Sequence, residues 1–173
     1  MSHEVHRQEG PRSVAIAVVT ASDTRDAASD ASGAWLRQAA DAAGHRVVAY
    51  EVVRDDPGAI RDALARAREA GAEAIVVNGG TGIAARDRTH EAVAGLLEKR
   101  LDGFGELFRM LSYAEIGSAA MMSRAVGGVW RGAALFSVPG STTAVRLAWE
   151  RLLAPELSHL VRELRKDAGP GGG

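Results

Sequence analysis

Three short β-branched runs, "SVAIAVVT" (13–20), "RVVAYEVV" (46–53) and "AEAIVVN" (72–78), are separated by two stretches of helical character, and this alternation narrows the choice of fold more than any other feature. A strand that leaves through a helix and returns must run parallel to its neighbour, because a crossover of that length brings the chain back in the same direction. The connecting stretches agree. "ASGAWLRQAADAAG" sets Trp35, Leu36, Ala39 and Ala43 on one helical face and stops at Gly44. "DDPGAIRDALARAREAG" offers Asp56 as a cap, Pro57 in the first turn and Gly71 beyond the end. The expected fold is α/β: a three-layer α/β/α sandwich with a mostly parallel central sheet.

Farther along, Phe104, Leu107, Phe108 and Leu111 repeat at helical spacing, as do Val145, Ala148, Trp149, Leu152 and Leu153, which predicts two core-facing helices. Between them, "AVGGVW" and "AALFSV" flank "RG", the pattern of a β-hairpin, so one strand should run antiparallel. Leu157, Leu160, Val161 and Leu164 mark a last helix after Pro155. With 173 residues, 46% of them hydrophobic, the chain can bury one substantial core. A single domain over 13–166 is expected, with flexible tails at 1–12 and 167–173.

Charge and composition exclude several functions. The 21 basic and 22 acidic residues nearly cancel, so no global field draws in a nucleic acid or an anionic membrane, and a small-molecule ligand fits better. The absence of cysteine removes disulfides, thiolate metal ligands and a thiol nucleophile together. "VAIAVV" is far too short to span a bilayer and "MSHEVHRQEG" carries no apolar signal segment, so the expected setting is cytoplasmic. His45, His90 and His159 are scattered without ligand spacing.

Open α/β sheets bind ligands at the carboxyl ends of their strands, and three glycine- or hydroxyl-rich junctions fall there. They are "TASDTRD" (20–26), "NGGTG" (78–82) and "VPGST" (138–142). Glycine lets backbone amides approach phosphate oxygens without a Cβ in the way. "NGGTG" is neither a Walker loop nor a dinucleotide fingerprint, and taken alone it fits a tight turn equally well. Asp56 before Pro57 reads as a helix cap more readily than as a metal ligand, Asp87 could equally cap the helix that starts near Thr89, and Ser22 and Asp23 fit a turn or cap.

Together, "NGGTGIAARDRTHEA", "GFGELFRMLSYAEIGSAAMMSRAVGG" and "SVPGSTTAVRLAWERLLAPEL" resemble, in order and spacing, the successive signature blocks of the molybdenum cofactor biosynthesis protein B and Mog family. "TASDTRD" followed by "SGAWLRQAADAAGH" resembles its N-terminal block, and the last loop its B branch. The resemblance implies Mg²⁺-dependent adenylylation of molybdopterin by ATP, with adenylyl-molybdopterin and pyrophosphate as products. It implies that Gly79, Gly80, Thr81 and Gly82 contact nucleotide phosphates and that Asp56 and Asp87 hold Mg²⁺. Ser22 and Asp23 would line the same mouth, and Pro139, Gly140 and Ser141 would form the loop for the pterin's phosphate. Arg86 would be a charge partner or only a brace. The resemblance further implies a homotrimer or homohexamer and transient contact with other enzymes of cofactor biosynthesis. The alternatives are a non-catalytic molybdopterin- or nucleotide-binding assembly protein and an unrelated nucleotide-binding module.

Overall fold

In a computed structural model, which describes residues 11–167, six strands form one sheet in the order β2-β1-β3-β6-β5-β4. The expectation of flexible tails falls almost wholly outside the described residues. Strands β1 (Ala15–Ala21), β2 (Arg46–Val53), β3 (Ala74–Asn78) and β6 (Ala133–Val138) are mutually parallel where they pair. Strand β5 (Val126–Trp130) runs antiparallel to β6, with Arg131 and Gly132 as its turn, and the two-residue β4 (Lys99–Arg100) pairs antiparallel to β5. The hairpin is as expected. Strand β4 had no signal, being two exposed basic residues without alternation.

Helices cover both faces. Helix α1 (Ala31–Ala42) lies on one face with α4 (Asp102–Ile116), α5 (Thr142–Ala148) and α6 (Ala154–Asp167), around Leu36, Phe108, Phe136, Trp149 and Leu153. Helix α2 (Pro57–Glu69) and the short α3 (Thr89–Ala94) pack on the other, around Ile60, Leu64, Ile75 and Val93. Helix α1 keeps the register of its apolar pattern, except that Ala43 is exposed at the helix end, where Gly44 takes a φ of 84°. Asp56 caps α2 and Gly71 follows it with a φ of 86°.

Two helical expectations need correction. Helix α4 buries Phe104, Gly105, Phe108 and Ser112, whereas Leu107 is exposed together with Met110, Tyr113 and Ile116. The helix is apolar on two sides, and only one of them faces the sheet. The last two helices are also not separated by Pro155. Residues 142–167 continue as α5, a π-helical turn at Trp149–Leu153 and α6, with Pro155 inside the first turn of α6. Proline has no N–H to donate to the preceding turn, and the widened turn directly before it lets the chain continue without a break.

The topology locates the candidate site. From β1 the chain moves outward to β2 and then returns to the other side of β1 for β3, which makes the β1–β3 boundary the switch point of the sheet. Loops leaving β1, β2, β3 and β6 all emerge at that same edge.

Candidate anion and metal cleft

Those loops enclose a cleft of about 340 Å³, lined by Ser22, Asp23, Arg25, Asp55, Gly80, Arg86, Asp87, Gly140 and Ser141, among others. Most of the residues expected from sequence meet here. Four do not line it: Asp56, Thr81, Gly82 and Pro139.

Asp56 is replaced in the cleft by its neighbour. Its carboxylate accepts from Ala59 N at 2.9 Å as the cap of α2, so the chain direction that serves the helix turns this side chain away from the strand ends. Asp55 takes the inward position and accepts from Thr89 Oγ1 at 2.9 Å. Burial holds the Asp55 carboxyl above its usual range, the Thr89 hydrogen bond opposes that, and the charges of Asp23 and Asp87 add to the rise. Sequence reasoning missed this residue because "DD" before a proline supplies one cap and one free carboxylate without saying which is which.

The glycine loop is shaped by what surrounds it. Gly79 has a φ of 111°, and a Cβ there would fall on the Ala21 carbonyl; Gly80 has a φ of 56°, and a Cβ there would strike Thr89 Oγ1 and the Asp55 carboxylate. The Gly79 amide, expected to face a phosphate, instead donates to Val138 O at 3.0 Å and ties the loop to the end of β6. Asp87 accepts from Ala84 N at 3.0 Å, and α3, which starts at Thr89, has no side-chain cap, so the cap reading of Asp87 falls. Arg124, another residue without a sequence signal, braces this loop by donating to the carbonyls of Thr81, Gly82 and Asp87 while pairing with Glu91. Arg86 is exposed on the cleft wall.

Beneath the loops lies a buried polar network. Asp30 accepts from Thr20 Oγ1 at 2.6 Å, Tyr50 OH at 2.8 Å, Gly33 N at 3.0 Å and Ser32 Oγ at 3.1 Å. Burial alone would raise its pKa, but these bonds outweigh it and hold the carboxyl below the usual value. Tyr50 is pushed up to about 12, by burial first and then by its bond to Asp30. Asn78, at the end of β3, donates to Thr20 Oγ1 at 2.9 Å, and its Oδ1, 2.8 Å from Ser32 Oγ, shares the single proton of that hydroxyl with Asp30. A signal for this network exists in the sequence: Thr20 and Asn78 are polar residues at the ends of otherwise apolar buried strands.

The fit to a divalent cation can be judged from the donors. Among the described residues no group of three or more metal-ligating side chains stands together. Asp55 and Asp87 would therefore supply two oxygens, with the rest of the coordination from phosphates and water, the usual mode of Mg²⁺ beside a nucleotide. Burial is the main cause of the rise at Asp55, and the smaller part that comes from Asp23 and Asp87 is what a cation would relieve; two carboxylates lining one cleft fit such an ion. Among the described residues no helix is long and apolar enough to cross a membrane.

A mostly parallel sheet with glycine loops and carboxylates gathered over its switch point defines an open α/β protein, a class whose ligand sites lie at the strand ends. A family model described as a probable molybdopterin binding domain matches residues 17–159. Molybdenum cofactor biosynthesis protein B of Bacillus subtilis (strain 168) is 52% identical over 169 residues, spanning 96% of this chain and 99% of that protein. Its counterpart in Halalkalibacterium halodurans is 50% identical over 169 residues, with the same two coverages of 96% and 99%. A crystal structure of a molybdenum cofactor biosynthesis protein B aligns with a TM-score of 0.87 at 49% identity, covering 91% of this chain and 99% of that one. The tungsten cofactor synthesizing protein MoaB from Pyrococcus furiosus aligns with a TM-score of 0.82 at 35% identity, covering 90% and 99%. The chain belongs to the molybdenum cofactor biosynthesis protein B and Mog family.

Proposed function

We propose that this chain, working as one domain over 13–166, adenylylates molybdopterin in a Mg²⁺-dependent reaction with ATP. The observation that carries this reading is the convergence of two carboxylates, Asp55 and Asp87, with the glycine loop in one cleft of about 340 Å³. In the reaction, an oxygen of the molybdopterin phosphate attacks the α-phosphorus of ATP. A new P–O bond forms, the α–β bridge breaks and pyrophosphate leaves. The nucleophile is already an anion, so the protein's task is positioning and charge neutralisation rather than supplying a covalent group.

Each residue has a part in that task. Gly80 lets the glycine loop close against Asp55 and Thr89, where no Cβ would fit, and so keeps the loop that would face the nucleotide phosphates beside the carboxylates. Asp55 and Asp87 would hold Mg²⁺, which when bound supplies charge compensation to the triphosphate. Ser141 accepts from Ala144 N at 3.2 Å and keeps its own hydroxyl proton for a ligand oxygen. Arg86 adds an exposed positive charge at the rim. Incubating the protein with molybdopterin, ATP and Mg²⁺ tests the reading: pyrophosphate release should depend on molybdopterin. Binding of both ligands without release would instead support a non-catalytic assembly role.

The exposed apolar side of α4 supports self-association into a trimer or hexamer. Leu107, Met110, Tyr113 and Ile116 on α4, with Met121 and Met122 in the turn that follows it, are all exposed large apolar side chains, the kind of surface that marks an interface when it is contiguous. A measured solution mass checks it.

A further inference from the structure

We infer that Arg25 is the fixed cation that receives a phosphate monoester bound without metal at the β6 side of the cleft, and so sets which of two anionic substrates lies there. This deepens the adenylyl-transfer reading and rests on it only for the identity of the phosphate, which would be that of the acceptor.

A guanidinium has five N–H donors. Arg25 Nη1 uses both of its hydrogens inside the protein, one to Ser32 Oγ at 3.0 Å and one to Gly140 O at 2.9 Å. Among the described residues, Nη2 and Nε have no acceptor. The side chain is 36% exposed and lines the cleft, so these three remaining donors are available there.

Its position is over-determined. Asp30 Oδ1 lies 3.9 Å from Nη1, with the Asp30 side chain 0% exposed, and is Arg25's ion-pair partner among the described residues. Asp30 is itself held by Thr20 Oγ1, Tyr50 OH and Gly33 N, and the Ser32 hydroxyl shares its one proton between Asp30 and Asn78. The bond to Gly140 O attaches the arginine to the β6 loop, and Gly140 sits over Gly79, where a Cβ at 140 would come within 3.1 Å of Gly79 Cα. Arg25 therefore stands at the joint of three loops. A planar cation held so rigidly, with a free edge of donors, matches a phosphate's oxygens with little entropy left to lose.

The cleft is chemically divided. Asp23, Asp55 and Asp87 repel a phosphate unless a cation intervenes, with the exposed Arg86 beside Asp87 as the protein's own cation on that wall, whereas the anchored Arg25 attracts one directly. A triphosphate with Mg²⁺ suits the first side and a monoester dianion the second.

Calorimetric titration with inorganic phosphate in the presence of a chelator, and separately with Mg²⁺-ATP, tests this on the wild type, Arg25→Gln and Arg25→Lys. Loss of a charge-assisted contact should weaken phosphate binding by about 10- to 100-fold in Arg25→Gln. Arg25→Lys should recover part of it, because the charge remains but the fork is lost. Mg²⁺-ATP affinity should change less than about threefold, and thermal unfolding should show both variants folded. In turnover, KM for molybdopterin should rise while KM for ATP holds. The inference is overturned if the wild type binds no phosphate in chelator, if Arg25→Gln binds it as tightly, or if Mg²⁺-ATP affinity falls as far as phosphate affinity. A wild type that binds phosphate through Arg25 yet releases no pyrophosphate would sink adenylyl transfer and leave this inference standing.

Discussion

Replacing Asp56 with serine should leave the protein active, and replacing Asp55 with asparagine should not. Asp56 caps α2 through its 2.9 Å bond from Ala59 N. Removing such a cap costs about 1 kcal/mol, and serine restores most of it. In a domain of this size 1 kcal/mol moves the melting temperature by about 2–4 °C, so Asp56→Ser should melt within about 2 °C of the wild type. Asparagine at 55 keeps an acceptor for Thr89 Oγ1 but removes a charge that Asp23 and Asp87 repel. Its melting temperature should equal or exceed that of the wild type. The functional consequence runs the other way. A charge-assisted contact contributes about 1.5–3 kcal/mol, so losing one carboxylate from the cation should lower Mg²⁺-dependent pyrophosphate release by about 10- to 100-fold. Excess Mg²⁺ should recover part of that loss. The assay is pyrophosphate release at a series of Mg²⁺ concentrations beside thermal unfolding of each variant. The reasoning fails if Asp56→Ser, melting as the wild type does, loses turnover while Asp55→Asn keeps it.

Other outcomes follow from the same geometry. Gly80→Ala should be destabilised by about 1–3 kcal/mol, since it combines a φ of 56° with a collision against Thr89 and Asp55; circular dichroism melting checks this, and an unchanged midpoint would contradict it. Because the Asp55 pKa is raised, protons should compete with Mg²⁺ there at a higher pH than at an ordinary carboxylate, so Mg²⁺ affinity measured by titration should decline as pH falls through that raised value and recover above it. Asp30 has the opposite sign: its pKa is depressed on folding, so the stability it contributes is fully present above the unfolded carboxylate value of about 4 and is lost as pH falls through the lower folded value. Asp30→Asn should therefore flatten the acid limb of the stability curve, while losing about 1–3 kcal/mol at neutral pH because its amide presents donors to the Thr20 and Tyr50 hydroxyls. Met110→Glu on the exposed side of α4 should lower the solution mass measured by light scattering without unfolding the chain.

The layered fold was legible in the order of residues because strand and helix patterns are local. Short β-branched runs, Gly44 and Gly71 as stops, Pro57 as a start and "RG" between two apolar runs each act within a few positions, and crossover length alone makes the strands parallel. That Gly79, Gly80 and Asp87 meet at the cleft was legible for the same reason, since they lie in one continuous motif, although Thr81 and Gly82 of that motif do not line it. The rest depends on directions in space. Whether Asp55 or Asp56 faces the cleft is decided by the turn that ends β2 and begins α2, where one carboxylate must serve the helix amides. Which apolar side of α4 meets the sheet is decided by packing against β5 and its neighbours, since Phe104 and Leu107 are equally apolar as letters. Arg25 gains its meaning from Gly140, distant in sequence but adjacent through the parallel pairing of β1, β3 and β6. Local hydrogen bonding and hydrophobic periodicity act along the chain and can be read from it, whereas a buried charge finds its partners across the sheet, and only the folded chain sets those distances.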